Sequence, residues 1–155
     1  MMKETDQVTV TAVQSEGELL QALAIREVVF IEEQNVASEL ERDADDDRAF
    51  HVLATAHKHA VGTGRMVELE EPPPQESGRW GRIGRMAVLQ AHRRSKVGTM
   101  LLEALESEGR RRGYVGIVLH AQLAALDFYR SLGYQPNGTV FEEAGIPHVE
   151  MKKRL

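Results

Sequence analysis

The sequence predicts an α/β domain, and two observations carry that reading. Ile83, Met86 and Val88 supply the apolar residues of a buried strand. A basic turn follows, and Val97, Leu101, Ala104 and Leu105 then recur at helical spacing with Glu103, Glu106 and Glu108 elsewhere on the surface. Gly116-Ile117-Val118-Leu119-His120 is a second short apolar strand. A strand, a helix and a second buried strand make a right-handed crossover, so these strands should run parallel. Upstream, Phe50–Ala56 and Ala60–Val67 flank the polar turn His57-Lys58-His59 as a hairpin. At 155 residues the chain fits one compact domain, 1–155, large enough to bury a core.

Composition narrows the classes. Without cysteine there is no disulfide, no thiolate metal site and no cysteine nucleophile. A net charge of -5 argues against a general nucleic-acid binder. No apolar run approaches membrane-spanning length and the N-terminus lacks a signal-peptide pattern, so a cytoplasmic protein without membrane contact is expected.

In order, Val8–Val13 alternates as a first strand. Ser15 with Glu18 makes a capping box, after which Leu19, Leu20, Leu23, Ile25, Val28, Val29 and Phe30 form an apolar helical face to about Glu33. Residues 35–47 are polar and acidic. Asp43, Asp45 and Asp47 begin like a calcium loop, but Arg48 and Ala54 stand where that loop needs a glycine and a carboxylate. The surviving expectation is that Asp45 and Asp46 attract a cationic amine. His57 and His59 lack a third ligand at metal spacing, and no metal site is expected. Gly62 and Gly64 signal a bulge or close packing, and Pro72-Pro73-Pro74 a surface loop before a core strand over residues 80–89. Arg110–Arg112 suit a helix C-terminus, with Gly113 as its cap.

Arg93-Arg94-Ser95-Lys96-Val97-Gly98-Thr99 runs into a helix N-terminus. The unpartnered N–H groups and positive dipole end there, with three cationic side chains and a glycine allowing close approach, suit a phosphate or pyrophosphate. A solvated basic turn is the alternative.

These residues also resemble a family signature. Arg93-x-x-Lys96-x-Gly98 is similar to the Gln/Arg-x-x-Gly-x-Gly/Ala motif of the GNAT superfamily of acetyl-CoA-dependent N-acetyltransferases, with Lys96 where the first glycine is usual. Ala125-x-x-Phe128-Tyr129-x-x-x-Gly133-Tyr134 resembles the family's Ala-x-x-Phe-Tyr-x-x-x-Gly-Phe. Val29–Gln34, Gly62–Arg65 and Gly145-Ile146-Pro147-His148-x-x-Met151 resemble its ElaA/YjcF-like branch, though Ala144 precedes the glycine where an acidic residue is common and Glu143 lies one place earlier. The resemblance spans residues 26–151. It implies a mixed, twisted sheet flanked by helices, whose central parallel strands splay apart to admit pantetheine. It further implies that backbone groups of Met86, Ala87 and Val88 pair with the pantetheine amides, that Arg93, Arg94, Ser95, Lys96, Val97, Gly98 and Thr99 hold the pyrophosphate, and that a backbone N–H near Val88 polarises the thioester. Gln122 and Phe128 complete the expected cofactor contacts. Tyr129, placed by helical spacing on one line with Gln122 and Leu126, would face the thioester and protonate the thiolate.

The implied reaction is acetyl transfer from acetyl-CoA to a primary amine of a small acceptor, by direct attack in a ternary complex. Such an amine, with a pKa of about 10, must lose a proton first. His120, at the end of its strand, is the first candidate base and His148 the second. A non-catalytic acyl-CoA-binding module on the same scaffold is the alternative. A phosphotransferase would want a P-loop ending that residues 93–99 lack. A homodimer through an exposed sheet edge is compatible with the sequence.

Overall fold

The structure, a computed structural model, describes residues 7–155. Residues 1–6, the start of the stretch read for a signal peptide, lie outside them. The order is β1 (Thr9–Ala12), α1 (Glu16–Arg26), a π-helical segment (Glu27–Glu33), α2 (Ser38–Glu41), a 3-10 turn (Ala44–Asp47), β2 (Phe50–Ala56), β3 (His59–Glu68) and β4 (Trp80–Val88). A 3-10 turn (Gln90–His92), α3 (Val97–Arg111), β5 (Gly116–Gln122), a 3-10 turn (Leu123–Ala125), α4 (Leu126–Ser131), β6 (Gln135–Pro136), β7 (Phe141–Glu143) and β8 (Ile146–Arg154) come next. The eight strands form one mixed sheet in the order β1-β2-β3-β4-β5-β8-β6, with β7 on β8. The β4–β5 pair is parallel, as the crossover requires. Among the described residues no helix is long and apolar enough to cross a membrane.

Strand alternation divides the sheet into two unlike faces. Met66, Ile83, Leu119, Ala121 and Met151 pack with Leu101 and Leu105 of α3 in the main core. The intervening positions, Arg65, Arg82, His120 and Glu150, fall on the opposite face. There Leu53 and Ala87 pack against Ala22 and Ile25 of α1 and Val29 of the π-helical segment. One face packs the main core; the other carries these polar side chains beside a second, smaller core.

The splay expected from the resemblance is present. β4 and β5 pair from Trp80↔Gly116 to Ile83↔Leu119 and no further, although β4 continues to Val88 and β5 to Gln122. The β3–β4 register slips between Thr63 and Arg65, and Arg85 takes a left-handed φ of 51°. This is a bulge, which bends the strand and increases its twist just where the ladder ends. The glycines opposite serve close packing: a Cβ on Gly64 would stand 2.6 Å from Met86 Sδ and 3.0 Å from Leu105 Cδ1.

Three local expectations change. Leu20 and Val28 are exposed, whereas Arg26 is 1% exposed. The buried residues are Ala22, Leu23, Ile25, Arg26 and Val29, and the wider π-turns from Glu27 onward rotate the side chains beyond that point away from a simple helical stripe. The helix that would align Gln122, Leu126 and Tyr129 begins only at Leu126. Gln122 belongs to β5, pairing with His148 of β8, so it shares no helical line with Tyr129. The acidic segment 38–47 is folded rather than a solvated loop. At α3, Gly113 (φ 85°) caps the helix, with the Tyr114 N–H donating to the Gly109 carbonyl at 2.9 Å. Arg111 and Arg112 both clasp Glu108, holding its carboxyl down to about 2.

Candidate active site

The basic turn leaves the end of β4 and enters α3 through Lys96, its N-terminal flank, at φ 66° and ψ 7°. Arg94 is also left-handed, at φ 65°. This explains where Lys96 departs from the family pattern: the position needs a conformation that glycine adopts without penalty and lysine does not. Arg93 is tied elsewhere. Its Nε donates to the Val88 carbonyl at 2.9 Å and its Nη2 meets Glu33 at 2.7 Å, fastening the strand end to the π-helical segment. The exposed Arg94 and Lys96 carry the turn's outward charge. Ser95 Oγ donates to the His92 carbonyl. Val97 is buried in the core, Thr99 lies in the first helical turn, and a Cβ on Gly98 would reach the Phe128 ring at 3.2 Å.

On the polar face a cavity of about 380 Å³ opens beside the parted strands, lined by Met86, Gln122, Tyr129, His120 and His148 among others. Tyr129 is 8% exposed and meets Phe128 and Tyr134 edge-on, with ring centroids 5.0 and 5.9 Å away. Burial alone pushes its hydroxyl up to about 12. Gln122 Nε2 donates to Gln34 Oε1 at 2.9 Å, linking β5 to the end of the π-helical segment.

The two histidines meet through Glu143. His120 Nδ1 lies 3.0 Å from Glu143 Oε1, and His148 Nε2 lies 3.7 Å from Glu143 Oε2. The hydrogen bond from His120 holds the Glu143 carboxyl below its ordinary range. Arg82 Nη2 also points at His120 Nδ1, at 3.2 Å. A guanidinium only donates and a carboxylate only accepts, so the two compete for one nitrogen. In the tautomer that donates Nδ1–H to Glu143, Nε2 presents the lone pair of the neutral ring. His148 Nδ1 donates to the Ile146 carbonyl at 2.6 Å, and its side chain is 7% exposed against 22% for His120. Phe141 holds both rings, edge-on at 5.0 Å to His120 and stacked at 5.9 Å on His148.

The other wall is an ion-pair network that the sequence does not announce. Arg26 binds Glu41 at 2.8 Å and Asp46 at 2.7 Å. Arg65 binds Asp43 and Asp46, each at 2.7 Å. Arg85 binds Glu41 at 3.2 Å and Asp43 at 3.3 Å. The arginines hold Asp43 and Asp46 below their ordinary range. Asp46 is therefore committed to two arginines, and Asp45 to Arg48 at 2.9 Å. The expected attraction of a cationic amine by Asp45 and Asp46 loses its basis. The cue was the charge of Arg26, Arg65 and Arg85 within otherwise apolar segments, since a buried cation needs an anionic partner. Among the described residues no group of three or more His, Asp or Glu side chains is placed to hold a metal ion.

A mixed sheet whose parallel strands part beside a helix N-terminus defines an acyl-CoA N-acyltransferase fold. Residues 9–155 match the acetyltransferase (GNAT) domain family, and the chain belongs to it. It is 34% identical over 140 residues to YjcF of Bacillus subtilis, described as an uncharacterised N-acetyltransferase, covering 90% of this chain and 94% of YjcF. It is 31% identical over 145 residues to ElaA of Escherichia coli, covering 91% of this chain and 90% of ElaA. The ElaA crystal structure superposes with a TM-score of 0.79 over 94% of this chain and 99% of that one, at 29% identity. An aminoglycoside 6'-N-acetyltransferase complexed with coenzyme A shares the fold, with a TM-score of 0.71 at 16% identity over 94% of this chain and 96% of its own. The protein is an acyl-CoA-dependent acetyltransferase.

Proposed function

We propose that the chain transfers the acetyl group of acetyl-CoA to a primary amine of a small acceptor held in the cavity beside His120. The observation that carries this is the end of the β4–β5 ladder at Ile83↔Leu119, next to a cavity lined by both His120 and Tyr129. Strand edges left unpaired over Met86, Ala87 and Val88 fit the pantetheine arm as an added strand. The turn from Arg94 to Thr99 fits the pyrophosphate, with Arg93 shaping it from behind.

The co-substrate supplies an acetyl thioester, from which the amine nitrogen takes the acetyl group as its C–N bond forms and the C–S bond breaks. His120 Nε2 accepts the proton that the amine must lose, directly or through water, while Glu143 holds the ring by Nδ1. The resulting imidazolium lies between Glu143 at 3.0 Å and Glu150 at 3.6 Å. Tyr129, held protonated at neutral pH by burial, gives its proton to the departing sulfur. His148 Nε2 stands 3.7 Å from the other oxygen of Glu143.

Steady-state turnover of an amine panel, with calorimetric titration of acetyl-CoA, tests this reading. Tyr129→Phe should lower kcat by roughly 10²-fold or more, the range for a positioned acid or base, while acetyl-CoA binds as before. His120→Ala should do the same. Undiminished turnover in either variant removes that residue from the mechanism.

A further inference from the structure

The acetyltransfer reading leaves the acceptor's chemistry open, and the cavity floor bears on it. Arg82, Gly84 and Arg85 all line the cavity. Gly84 has no positive φ, so its backbone does not require glycine. A Cβ built there meets nothing within 4 Å: the missing side chain leaves open space. By strand alternation Arg82 and Gly84 share the polar face, and the bulge turns Arg85 onto it too, where its Nε donates to the Glu41 carbonyl at 3.0 Å.

The charges around this space are unevenly satisfied. Glu41 and Asp43 are held by arginines, Asp45 by Arg48 and Glu143 by His120. Arg65 has both terminal nitrogens on carboxylates. Arg82 differs: its side chain is 38% exposed and the Glu143 carboxylate stands 4.0 Å away. Its Nη2 lies 3.2 Å from His120 Nδ1, a contact that engages only one of the guanidinium nitrogens. A guanidinium has five N–H donors, so Arg82 has capacity directed at the cavity. Arg85 adds a second cation on the same wall: its Nε and Nη2 are engaged by Glu41, Leu40 and Asp43, which leaves Nη1 as its remaining donor nitrogen. An anion over Gly84 would take that nitrogen together with the spare donors of Arg82.

We propose that the acceptor is an amino acid, whose carboxylate sits over Gly84 between the guanidinium groups of Arg82 and Arg85 and whose amine faces His120. Arg82 touches the imidazole it serves, so a carboxylate bound there holds an amine only a few bonds away beside the base. This proposal rests on the acetyltransfer reading of the same cavity. It replaces attraction of a cation by the acidic segment with anchoring of an anion.

The test uses the full chain, acetyl-CoA and matched acceptors: free amino acids, their carboxamides and the corresponding decarboxylated amines. Free amino acids should be acetylated, and the two neutralised series should lose roughly tenfold or more in kcat/KM, as expected for losing a charge-assisted bidentate contact. Arg82→Gln should raise KM for the amino acids by a similar factor with acetyl-CoA affinity unchanged, and Arg82→Lys should recover part of it. Gly84→Val, which fills the space, should act like Arg82→Gln. Carboxamides or plain amines used as well as amino acids would overturn the proposal. So would amino acids left unacetylated by a chain that binds acetyl-CoA. Failure to bind acetyl-CoA would instead remove the acetyltransfer reading, and this proposal with it.

Discussion

Lys96→Gly separates two effects that one residue combines. Lys96 sits at φ 66° and ψ 7° with no side-chain cap to the helix it precedes, and its side chain is exposed. A left-handed conformation costs an L-residue roughly 1–2 kcal/mol. Glycine removes that cost but adds roughly 0.5–1 kcal/mol of chain entropy to be lost on folding. The net expectation is a gain of about 0.5–1 kcal/mol, or roughly 1–4 °C in Tm for a chain of this size. If Lys96 also meets the pyrophosphate, loss of an exposed charge contact of about 0.2–1 kcal/mol weakens acetyl-CoA binding by up to about fivefold. Lys96→Ala is the control: it removes the same charge and keeps the strain. Urea unfolding and calorimetric titration of the three proteins measure both quantities. Lys96→Gly should be more stable than Lys96→Ala, while both bind acetyl-CoA alike. A Lys96→Gly protein no more stable than Lys96→Ala would refute the strain argument. Affinities unchanged in both would remove Lys96 from the phosphate site.

Removing Glu41 should be costly. Glu41→Ala leaves Arg26, 1% exposed, without the carboxylate at 2.8 Å, and a loss of about 3–5 kcal/mol is expected in chemical denaturation. A loss below about 1 kcal/mol would mean that Asp46 alone suffices. Acid should act through the same network. Asp43 and Asp46 have depressed carboxyl pKa values in the folded chain, so their stabilisation is complete above the unfolded value of about 4 and is lost as pH falls below it. Unfolding free energy should therefore decline below about pH 4, and Asp46→Asn, less stable at neutral pH, should decline less and converge on the parent at low pH. Parallel curves would place the acid sensitivity elsewhere.

How far the sequence reached depended on the range of the forces involved. The hairpin of β2 and β3 was readable because period-two alternation and a polar turn are local; His57 and Lys58 take the left-handed values, φ 50° and 69°, that a tight turn needs. The turn before α3 was readable for the same reason. Gln122 was misplaced because the run from Gln122 to Leu126 is apolar and helix-favouring, and only pairing with His148 on β8 extends the strand through it. The network around Arg26, Arg65 and Arg85 was hidden more deeply. Its cations come from a helix and two strands, and its anions from a segment whose composition looks solvated. Glu143, left without a role by its place one residue before the expected acidic position, proves to be the carboxylate between the histidines.

The bulge at Arg85 joins the parted strands to the cavity wall. Simple alternation from Ile83 on the α3 face would send Arg85 toward α3 and Met86 toward the opposite face. The extra residue reverses both: Met86 packs with the main core, and Arg85 reaches Glu41 across the opposite face. Deleting Arg85 therefore leaves Met86, Ala87 and Val88 on the faces they now occupy, because a one-residue insertion and its removal each shift a strand by one alternation. What the deletion takes away is the bend and one cation. A regular β4 could then continue its parallel ladder past Ile83, closing the gap proposed for the pantetheine arm. Arg85→Gly keeps the bulge, since glycine adopts a positive φ freely, and removes the guanidinium with its bonds to Glu41 and Asp43. If the bulge sets the geometry and the guanidinium sets acceptor choice, Arg85→Gly should bind acetyl-CoA normally while losing acceptor affinity. Deletion of residue 85 should abolish acetyl-CoA binding in a chain that still unfolds cooperatively. Equal loss of acetyl-CoA binding from the two changes would mean that the guanidinium itself holds the strands apart.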